Sequence, residues 1–248
     1  MIDLAGRVAV VTGGGGGIGS AICQRLATLG ASVVICVAER LERAEALADS
    51  LPGVGHLAVR ARVDESAEVA ELASLVAATY GRVDVLINAA GVTRPVPHAD
   101  LDALDDELID RIFPVNWRGS FATVRALQPM LAAGDGGVVI NISSIAGVTG
   151  LGSNVAYCAS KAALDSMTRS LARALAPAIR VVSVSPGWVE GEYAASMSRE
   201  LLDVQTAATP LGRLATPVDV ADAVEATLIL RATTGAIIAV DGGRPLGI

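Results

Sequence analysis

In VAVVTGGGGGIG, residues 8–19, a short apolar run passes into five consecutive glycines. Apolar residues then recur at helical spacing, at Ile18, Ile22, Leu26 and Leu29. This order predicts a buried strand, a glycine-rich turn and a helix. The turn lets a pyrophosphate approach the backbone, and the helix N-terminus offers it N–H groups and a favourable dipole. A flexible glycine loop is the alternative, but the flanking strand and helix favour dinucleotide binding.

The rest of the chain alternates between strand-like and helix-like segments. Gly30 ends the first helix, so the first unit is predicted to be strand, helix, strand with a right-handed crossover. Further apolar runs predict strands at 33–37, 56–61, 83–87, 140–142, 181–185 and 236–240. Helices are predicted at 41–51, 67–80, most of 101–131, and 218–230. This alternation predicts an α/β fold with a doubly wound parallel sheet.

Length and composition set limits on the class of protein. With 248 residues and no linker rich in proline, glycine or serine, the chain is predicted to form one domain over residues 1–248. No apolar run reaches the roughly 18 residues of a membrane span, and the N-terminus lacks a signal-peptide pattern. A soluble, cytoplasmic protein without membrane partners is therefore expected. The net charge of −7 argues against a nucleic-acid surface, which needs clustered lysine and arginine.

The cysteines and histidines predict no metal site. Cys23, Cys36 and Cys158 lie in apolar or helical patterns without CxxC spacing, so they are expected to be small buried hydrophobic residues. His56 and His98 form no close cluster with them and are expected in loops or at strand edges.

A second stretch, residues 140–163, carries candidate acid/base chemistry. Its apolar run ends in hydroxyls, which puts Ser144 at the carboxyl edge of the sheet, where open α/β folds bind ligands. Tyr157 and Lys161 follow at i, i+4 spacing, so the phenol and the ammonium share one helix face. A nearby cation lowers a tyrosine pKa by roughly 1–3 units, and a serine hydroxyl can donate to a carbonyl oxygen or an alkoxide. Alternatively the tyrosine only packs, because Tyr-x-x-x-Lys often arises by chance.

Several other polar or small residues have two interpretations. Residues 88–91, Asn-Ala-Ala-Gly, either let a cofactor lie against the backbone or form an ordinary strand-end turn. Asp64 either contacts an adenine amino group or caps the following helix. Asn116, a poor mid-helix residue, is expected to have a buried polar role, and nearby Pro114 to mark a break or a new start of the helix. Residues 188–198 lack periodicity and are expected to form a mobile substrate lid, or else a helix.

Several short motifs follow one another along the chain in an order that is highly specific when they are taken together. They are Thr12-Gly13-x-x-x-Gly17-Ile18-Gly19, Asn88-Ala89-Ala90-Gly91, Asn116, Ser144, Tyr157-x-x-x-Lys161 and Pro186-Gly187. This order, over essentially the whole chain, resembles the compact single-domain branch of the short-chain dehydrogenase/reductase family. Residues 210–213 and 240–243 are similar to those of its 3-oxoacyl-carrier-protein reductases. The resemblance implies a Rossmann-type fold and hydride transfer between NAD(H) or NADP(H) and a carbonyl or alcohol carbon.

The same resemblance implies a role for each motif residue. Ser144 orients the substrate oxygen, and Tyr157 is the general acid in reduction or the base in oxidation. Lys161 also holds the nicotinamide ribose, and Asn116 positions a water in a proton relay. The remaining cofactor contacts are assigned to the motif residues, with the pyrophosphate at the three glycines that come first and the adenine at Asp64. These contacts are Gly13, Gly17, Gly19, Ile18, Asp64, Asn88, Ala89, Gly91, Tyr157, Lys161, Pro186 and Gly187.

Two departures from the family pattern affect the cofactor. Many relatives anchor the nicotinamide carboxamide with a threonine where this chain has Gly191, so the anchor is expected to be the backbone of Val189. NAD-preferring relatives often have an aspartate at the end of the second strand and NADP-preferring ones an arginine, whereas this chain has Val-Ala at 37–38. Glu39, next in line, is expected to bond the ribose hydroxyls of NAD(H), while Arg40 would attract a 2′-phosphate. NAD(H) is therefore favoured.

The expected substrate is a small free ketone or secondary alcohol. A carrier-bound 3-oxoacyl chain is the alternative, but residues 131–137 show no basic cluster that would attract an acidic carrier. A homotetramer is expected from the family's habit and from the alanine-rich residues 172–178. A non-catalytic nucleotide-sensing regulator is the rival from another class. The presence of both Tyr157 and Lys161 favours the enzyme.

Overall fold

The computed structural model describes residues 2–246, which form an α/β domain around one sheet. Each of its seven strands runs parallel to its neighbours. The strands are β1 (Val8–Thr12), β2 (Ser32–Val37), β3 (Leu57–Arg60), β4 (Val85–Asn88), β5 (Gly137–Ile142), β6 (Ile179–Pro186) and β7 (Ile237–Val240). Their order, β3-β2-β1-β4-β5-β6-β7, confirms the predicted doubly wound parallel sheet. The predicted single domain extends to residues 1, 247 and 248, which lie outside the described residues.

The helices lie between successive strands, as the alternating pattern predicts. They are α1 (Gly17–Thr28), α2 (Leu41–Ser50), α3 (Ser66–Tyr80), α4 (Asp106–Phe113), α5 (Ser120–Leu131), α6 (Ala146–Thr149), α7 (Val155–Leu175), α8 (Glu192–Ala195), α9 (Arg199–Ala207) and α10 (Pro217–Ile229). A π-helical segment, Pro114–Gly119, joins α4 to α5, and a 3₁₀ turn covers Arg244–Leu246. In the described part of the chain, none of these helices has both the length and the apolar character that crossing a membrane requires.

One predicted segment differs from the structure. Residues 101–105 form turns rather than helix, because the Asp105 side chain accepts from Leu108 N (2.8 Å) and starts α4 there. Pro114 opens the π-helical segment, which confirms a new start of the helix at this residue. The expected lid, residues 188–198, contains the short helix α8.

The core lies on both faces of the sheet. In β1, Ala9 and Val11 belong to one apolar cluster, and Val8 and Val10 belong to the other. Residues of α1 and α10 complete the first cluster, whereas residues of α3, α5 and α7 complete the second. A strand that is covered on both sides has a continuous apolar sequence, which explains why residues 8–12 predict a buried strand so directly.

The strand order reverses direction at β1, which pairs with β2 on one side and β4 on the other. In open α/β sheets such a switch point leaves a crevice beyond the carboxyl ends of the strands. The glycine-rich turn follows β1 at this edge, residues 89–91 follow β4, and Ser144 follows β5. The fold therefore brings the separate sequence motifs to one edge.

Candidate active site

The glycine-rich turn between β1 and α1 is closely packed at its two ends. Gly13 has a left-handed φ of +67°, and a Cβ there would lie 2.8 Å from Ala90 Cα. A Cβ on Gly19 would collide with the Gly13 carbonyl oxygen. A Cβ on Gly17, in contrast, would meet no atom within 4 Å. The turn is therefore closed at Gly13 and Gly19 and open at Gly17.

The open side of the turn coincides with the N-terminus of α1. The first N–H groups of any helix have no acceptor within the helix. Here no side chain caps them, and no acidic residue occurs in the first turn. Ile18 packs against the core and holds the turn in place. Free donors and the positive end of the helix dipole fit an anionic pyrophosphate, so the residues present fit a dinucleotide cofactor.

The carboxyl end of β4 forms the opposite wall of the crevice. The Thr12 carbonyl oxygen accepts from Ala89 N (3.2 Å), which ties the ends of β1 and β4 together. A Cβ on Gly91 would lie 3.5 Å from Asn116 Oδ1 and 3.7 Å from Lys161 Nζ. Gly91 thus stands beside two polar groups that are distant from it in sequence.

Two buried asparagines hold this wall. Asn88 Nδ2 donates to Asn141 Oδ1 (2.9 Å), and Asn88 Oδ1 accepts from the Thr123 hydroxyl (2.7 Å). Asn116 Oδ1 accepts from Val92 N (2.8 Å), and its Nδ2 donates to the Val92 carbonyl oxygen (3.1 Å). The expected burial of Asn116 is confirmed, since it is 0% exposed. Both amide side chains are engaged by the protein and fix the strand end and loop that line the crevice.

Ser144 lies at the carboxyl edge, directly beyond β5. Its Oγ accepts from Ala146 N (3.2 Å), and the hydroxyl stands near enough to the Tyr157 phenol to act on its pKa. The short helix α6 packs directly on α7, because a Cβ on Gly147 would lie only 2.7 Å from Ala162 N. This close approach of the two helices brings the serine hydroxyl to the tyrosine.

Tyr157 stands in the first turn of α7. Asn154 caps this helix by accepting from Tyr157 N (2.7 Å), and the tyrosine side chain is half-buried. Burial raises the pKa of the Tyr157 phenol to about 12; the nearby Ser144 hydroxyl acts against this shift, and Tyr193 adds to it. The phenol therefore keeps its proton through the neutral range, as a proton donor requires.

Lys161 is the only lysine of the chain; the other 18 of its 19 basic residues are arginines. It is 4% exposed, its Nζ donates to the Ile142 carbonyl oxygen (2.8 Å), and this nitrogen lies 5.7 Å from the Tyr157 ring centroid. Burial lowers the pKa of Lys161 to about 8, and Asp165 opposes this shift. The pKa of Tyr157 is raised although Lys161 is near, because burial of the phenol is the largest influence on it.

Comparison with known proteins identifies the family. The family model described as short chain dehydrogenase matches residues 7–201. The chain belongs to the short-chain dehydrogenase/reductase family. It is 40% identical, over 241 residues and 96% of each chain, to the protein named for ketoacyl reductase 2 of the granaticin polyketide synthase of Streptomyces violaceoruber. It is 39% identical, over 245 residues and 96% of each chain, to cis-4-hydroxycyclohexanecarboxylate dehydrogenase of Sinomonas cyclohexanicum.

The fold agrees with this assignment. The solved structure of a short-chain dehydrogenase/reductase described as glucose/ribitol dehydrogenase from Brucella melitensis matches with a TM-score of 0.89, at 29% identity and over 98% of both chains. The predicted family, fold and enzyme class are confirmed. The chain is an oxidoreductase that acts on ketone or alcohol substrates with an NAD(P) cofactor.

The segment that follows β6 at the carboxyl edge of the sheet contains Pro186, Gly187 and Val189. Pro186 ends β6, and Gly187 N donates to the Val240 carbonyl oxygen (3.0 Å). Val189 then forms a single parallel bridge to Ala215. In a parallel bridge of this kind the bonds run through the neighbours of Val189, so its own N–H and C=O point away from Ala215.

Two acidic residues stand at the carboxyl ends of the outer strands. Glu39 follows β2 and is exposed. Asp64 follows β3, and its carboxylate accepts from Arg62 Nη2 (2.6 Å). The capping alternative for Asp64 is wrong, because the N-cap residue of α3 is Glu65 and no side chain caps that helix. The Arg62 guanidinium binds the Asp64 carboxylate instead.

The expected lid makes contacts that the sequence did not reveal. Glu192 on α8 binds Arg43 Nη1 (2.7 Å) and lies 3.9 Å from Arg40 Nη1, at the start of α2. The Tyr193 ring lies 6.2 Å from that of Trp188. Glu192 and Arg43 are 149 residues apart, so no local pattern could have indicated this ion pair.

No metal centre accompanies the site within residues 2–246, where no group of three or more His, Cys, Asp or Glu side chains could hold an ion. The three cysteines are buried free thiols, as expected.

Proposed function

We propose that this enzyme transfers a hydride between a nicotinamide cofactor and the carbonyl carbon of a small free ketone, or the carbinol carbon of the matching secondary alcohol. The observation that carries the proposal is the convergence of three side chains at the carboxyl edge of the sheet. The Ser144 hydroxyl lies near the Tyr157 phenol and acts on its pKa, and Lys161 Nζ lies 5.7 Å from the tyrosine ring centroid.

The proton chemistry follows from the environment of each group. In reduction, Ser144 donates a hydrogen bond to the substrate oxygen, and Tyr157 delivers its proton there as negative charge develops. In oxidation the phenolate must form first, and the Lys161 ammonium beside it stabilises that charge. A Lys161 pKa of about 8 keeps this group mostly cationic at neutral pH. Asn116 fixes the loop at Val92 and, as in the family, positions a water for proton relay.

The cofactor supplies or accepts the hydride when it is bound. The open glycine-rich turn at Gly17 would hold its pyrophosphate, and Tyr157 and Lys161 would hold the nicotinamide ribose. The N–H and C=O of Val189, turned away from Ala215, take the role of the carboxamide anchor that other relatives assign to threonine. The walls of the crevice are formed by Asn88, Ala89, Gly91, Pro186 and Gly187. Asp64 would contact the adenine.

The preferred cofactor is NAD(H). A 2′-phosphate needs an arginine or lysine partner. Both arginines near this position, Arg40 and Arg43, already have Glu192 as a carboxylate partner, at 3.9 Å and 2.7 Å. Glu39 adds a further negative charge at the end of β2. A 2′-phosphate would have to displace Glu192, whereas the ribose hydroxyls of NAD(H) would not.

The preferred substrate is a free ketone or alcohol with an apolar body, such as a substituted ring. A Cβ on Gly152 would lie 3.4 Å from Tyr157 Cδ1, so the segment after Ser144 borders the tyrosine. This segment exposes Val148 (73%) and Leu151 (68%), and the aromatic Tyr193 stands on the lid. The relative named as a cis-4-hydroxycyclohexanecarboxylate dehydrogenase supports a cyclic secondary alcohol.

Carrier-bound 3-oxoacyl substrates are the second candidate, favoured by the relative named for a polyketide ketoacyl reductase. The stretch 131–137, used in the sequence argument against them, leads into Gly137 at the start of β5. It therefore lies at the amino-terminal edge of the sheet, opposite Tyr157, where Asp135 binds Arg7 (2.9 Å). A free substrate is instead supported by the exposed apolar side chains near Tyr157 and by the net charge of −7, which would repel an acidic carrier.

A spectrophotometric assay tests the function. NADH or NADPH oxidation is followed with cyclic and aryl ketones and with a 3-oxoacyl thioester on its carrier protein. The expected result is highest kcat/KM on a free cyclic ketone, abolished in Tyr157→Phe with cofactor binding nearly unchanged. Tyr80→Phe is the matched control, because the Tyr80 hydroxyl donates to the Gly55 carbonyl oxygen (2.8 Å), outside the site. Full turnover in Tyr157→Phe would refute the acid/base assignment, and cofactor binding without turnover of any substrate would favour the nucleotide-sensing regulator.

A further inference from the structure

Asp165 carries a buried carboxylate that the site described above does not use. The residue is 2% exposed, and within residues 2–246 neither of its carboxylate oxygens has a hydrogen-bond partner. Burying a charged group without partners costs free energy, so a functional reason is worth seeking.

Asp165 lies on α7, one turn beyond Lys161. Residues four apart share a helix face, about 6 Å apart along the axis, and their Cα–Cβ bonds tilt towards the helix N-terminus. The Asp165 carboxyl group therefore leans towards the turn that carries Lys161. Because Lys161 is only 4% exposed, little water screens the attraction between the two charges.

The groups that face Asp165 from the sheet are neutral hydroxyls. Ser143, just beyond β5, donates to the Lys161 carbonyl oxygen (3.4 Å), and Ser183 of β6 pairs with the Thr168 hydroxyl (2.8 Å). The other charge that acts on Asp165 is Arg169, one turn further along α7 and exposed. Of the two cations that act on Asp165, Lys161 is the buried one.

We propose that Asp165 is a positioning residue that holds Lys161 in its cationic form, acting through Lys161 and not on the substrate or cofactor. The inference rests on the proposed role of Lys161 beside Tyr157. A buried lysine tends to release its proton, and the carboxylate one turn away opposes that release. The cation would then be available to stabilise the phenolate and to bind the ribose.

The pKa shifts agree in direction with this role. Burial lowers the pKa of Lys161 to about 8, and Asp165 raises it against that trend. Burial raises the pKa of Asp165, while Ser143, Ser183, Arg169 and Lys161 act in the opposite direction. Asp165 raises the pKa of Lys161 only while its carboxyl group is ionised. The charged pair therefore exists between the pH at which Asp165 loses its proton and the pH at which Lys161 loses its own.

The single lysine makes a direct test possible. Full-length protein labelled with [13Cε]lysine, on a tag without lysine, gives one lysine resonance, and its pH titration reports the Lys161 pKa. The expected midpoint is about 8 in the wild type. In Asp165→Asn it falls by roughly 1–3 units, the usual effect of losing an opposite charge nearby. Asp165→Glu restores it towards the wild-type value.

Thr168→Val is the matched control, because it removes a buried hydroxyl from the same helix without removing a charge, and its midpoint should equal that of the wild type. An unchanged midpoint in Asp165→Asn overturns the proposal. Should that variant not fold, the wild type decides: the lysine resonance must show a second inflection as Asp165 titrates at acid pH, and a flat signal there overturns the proposal. If the midpoint shifts as expected in Asp165→Asn but the protein reduces no ketone, the proposed function is wrong. The coupling of Asp165 to Lys161 would still be supported.

Discussion

Replacing Gly17 by alanine separates what the glycine-rich turn does for the fold from what it does for the cofactor. A Cβ at Gly17 would meet no protein atom within 4 Å, and its φ is not in the left-handed region. Gly17 is also the first residue of α1. The fold therefore does not need a glycine here, in contrast to Gly13 and Gly19.

The magnitude of each effect follows from this geometry. Alanine at a position compatible with helix stabilises a protein by about 0.4–1 kcal/mol, by restricting the unfolded chain. For a chain of this size that raises Tm by ~1–4 °C. The same methyl group occupies the space in which the pyrophosphate would lie, and overpacking of that kind costs about 1–3 kcal/mol. The Kd for NADH should then rise by roughly 5- to 150-fold.

Two measurements check this prediction: thermal unfolding without cofactor, and NADH binding by fluorescence titration. Gly19→Ala is the contrasting variant, because its Cβ would collide with the Gly13 carbonyl oxygen and should lower both Tm and affinity. A Gly17→Ala protein with higher Tm and unchanged Kd would show that the pyrophosphate does not lie at this turn. A lower Tm would refute the argument that the turn is open there.

Three further predictions concern the cofactor, alkaline pH and assembly. Comparing kcat/KM with NADH and NADPH, Glu39→Gln should weaken the NAD(H) preference and Arg40→Ala should strengthen it; a wild-type enzyme that strongly prefers NADPH would contradict the assignment. Burial raises the pKa of the Cys23 and Cys36 thiols from 9.0 to about 12. The stability that these neutral thiols provide is complete below pH 9 and is lost as pH rises towards 12, by up to about 1.4 kcal/mol per thiol per pH unit. Measured by urea unfolding, the free energy of unfolding should fall less steeply with rising pH in the Cys23→Ala, Cys36→Ala double variant than in the wild type. An equal fall in both proteins would contradict this prediction. Light scattering at micromolar concentration should give a homotetramer, and a monomer would reject that expectation.

Much of the site could be predicted because its parts are local in sequence. The Tyr157 and Lys161 side chains share a helix face through their i, i+4 spacing alone. Ser144 was placed correctly because an apolar run that ends in hydroxyls marks the carboxyl end of a strand. Asp64 was harder: the helix-capping alternative failed because Arg62 binds the carboxylate. A propensity for capping cannot show which of several nearby donors a side chain will choose.

The order of strands and helices, the glycine-rich turn and the family could be predicted from the amino-acid sequence, since these depend on periodicity and on short motifs that need no distant partner. The electrostatics of the site depend instead on the packed fold. The pKa of Tyr157 rises although a cation is near, because the surrounding elements remove water from the phenol. The Glu192–Arg43 pair joins the lid to α2 across 149 residues. Burial and contacts between remote residues arise when helices pack on both faces of the sheet, and no local pattern encodes them.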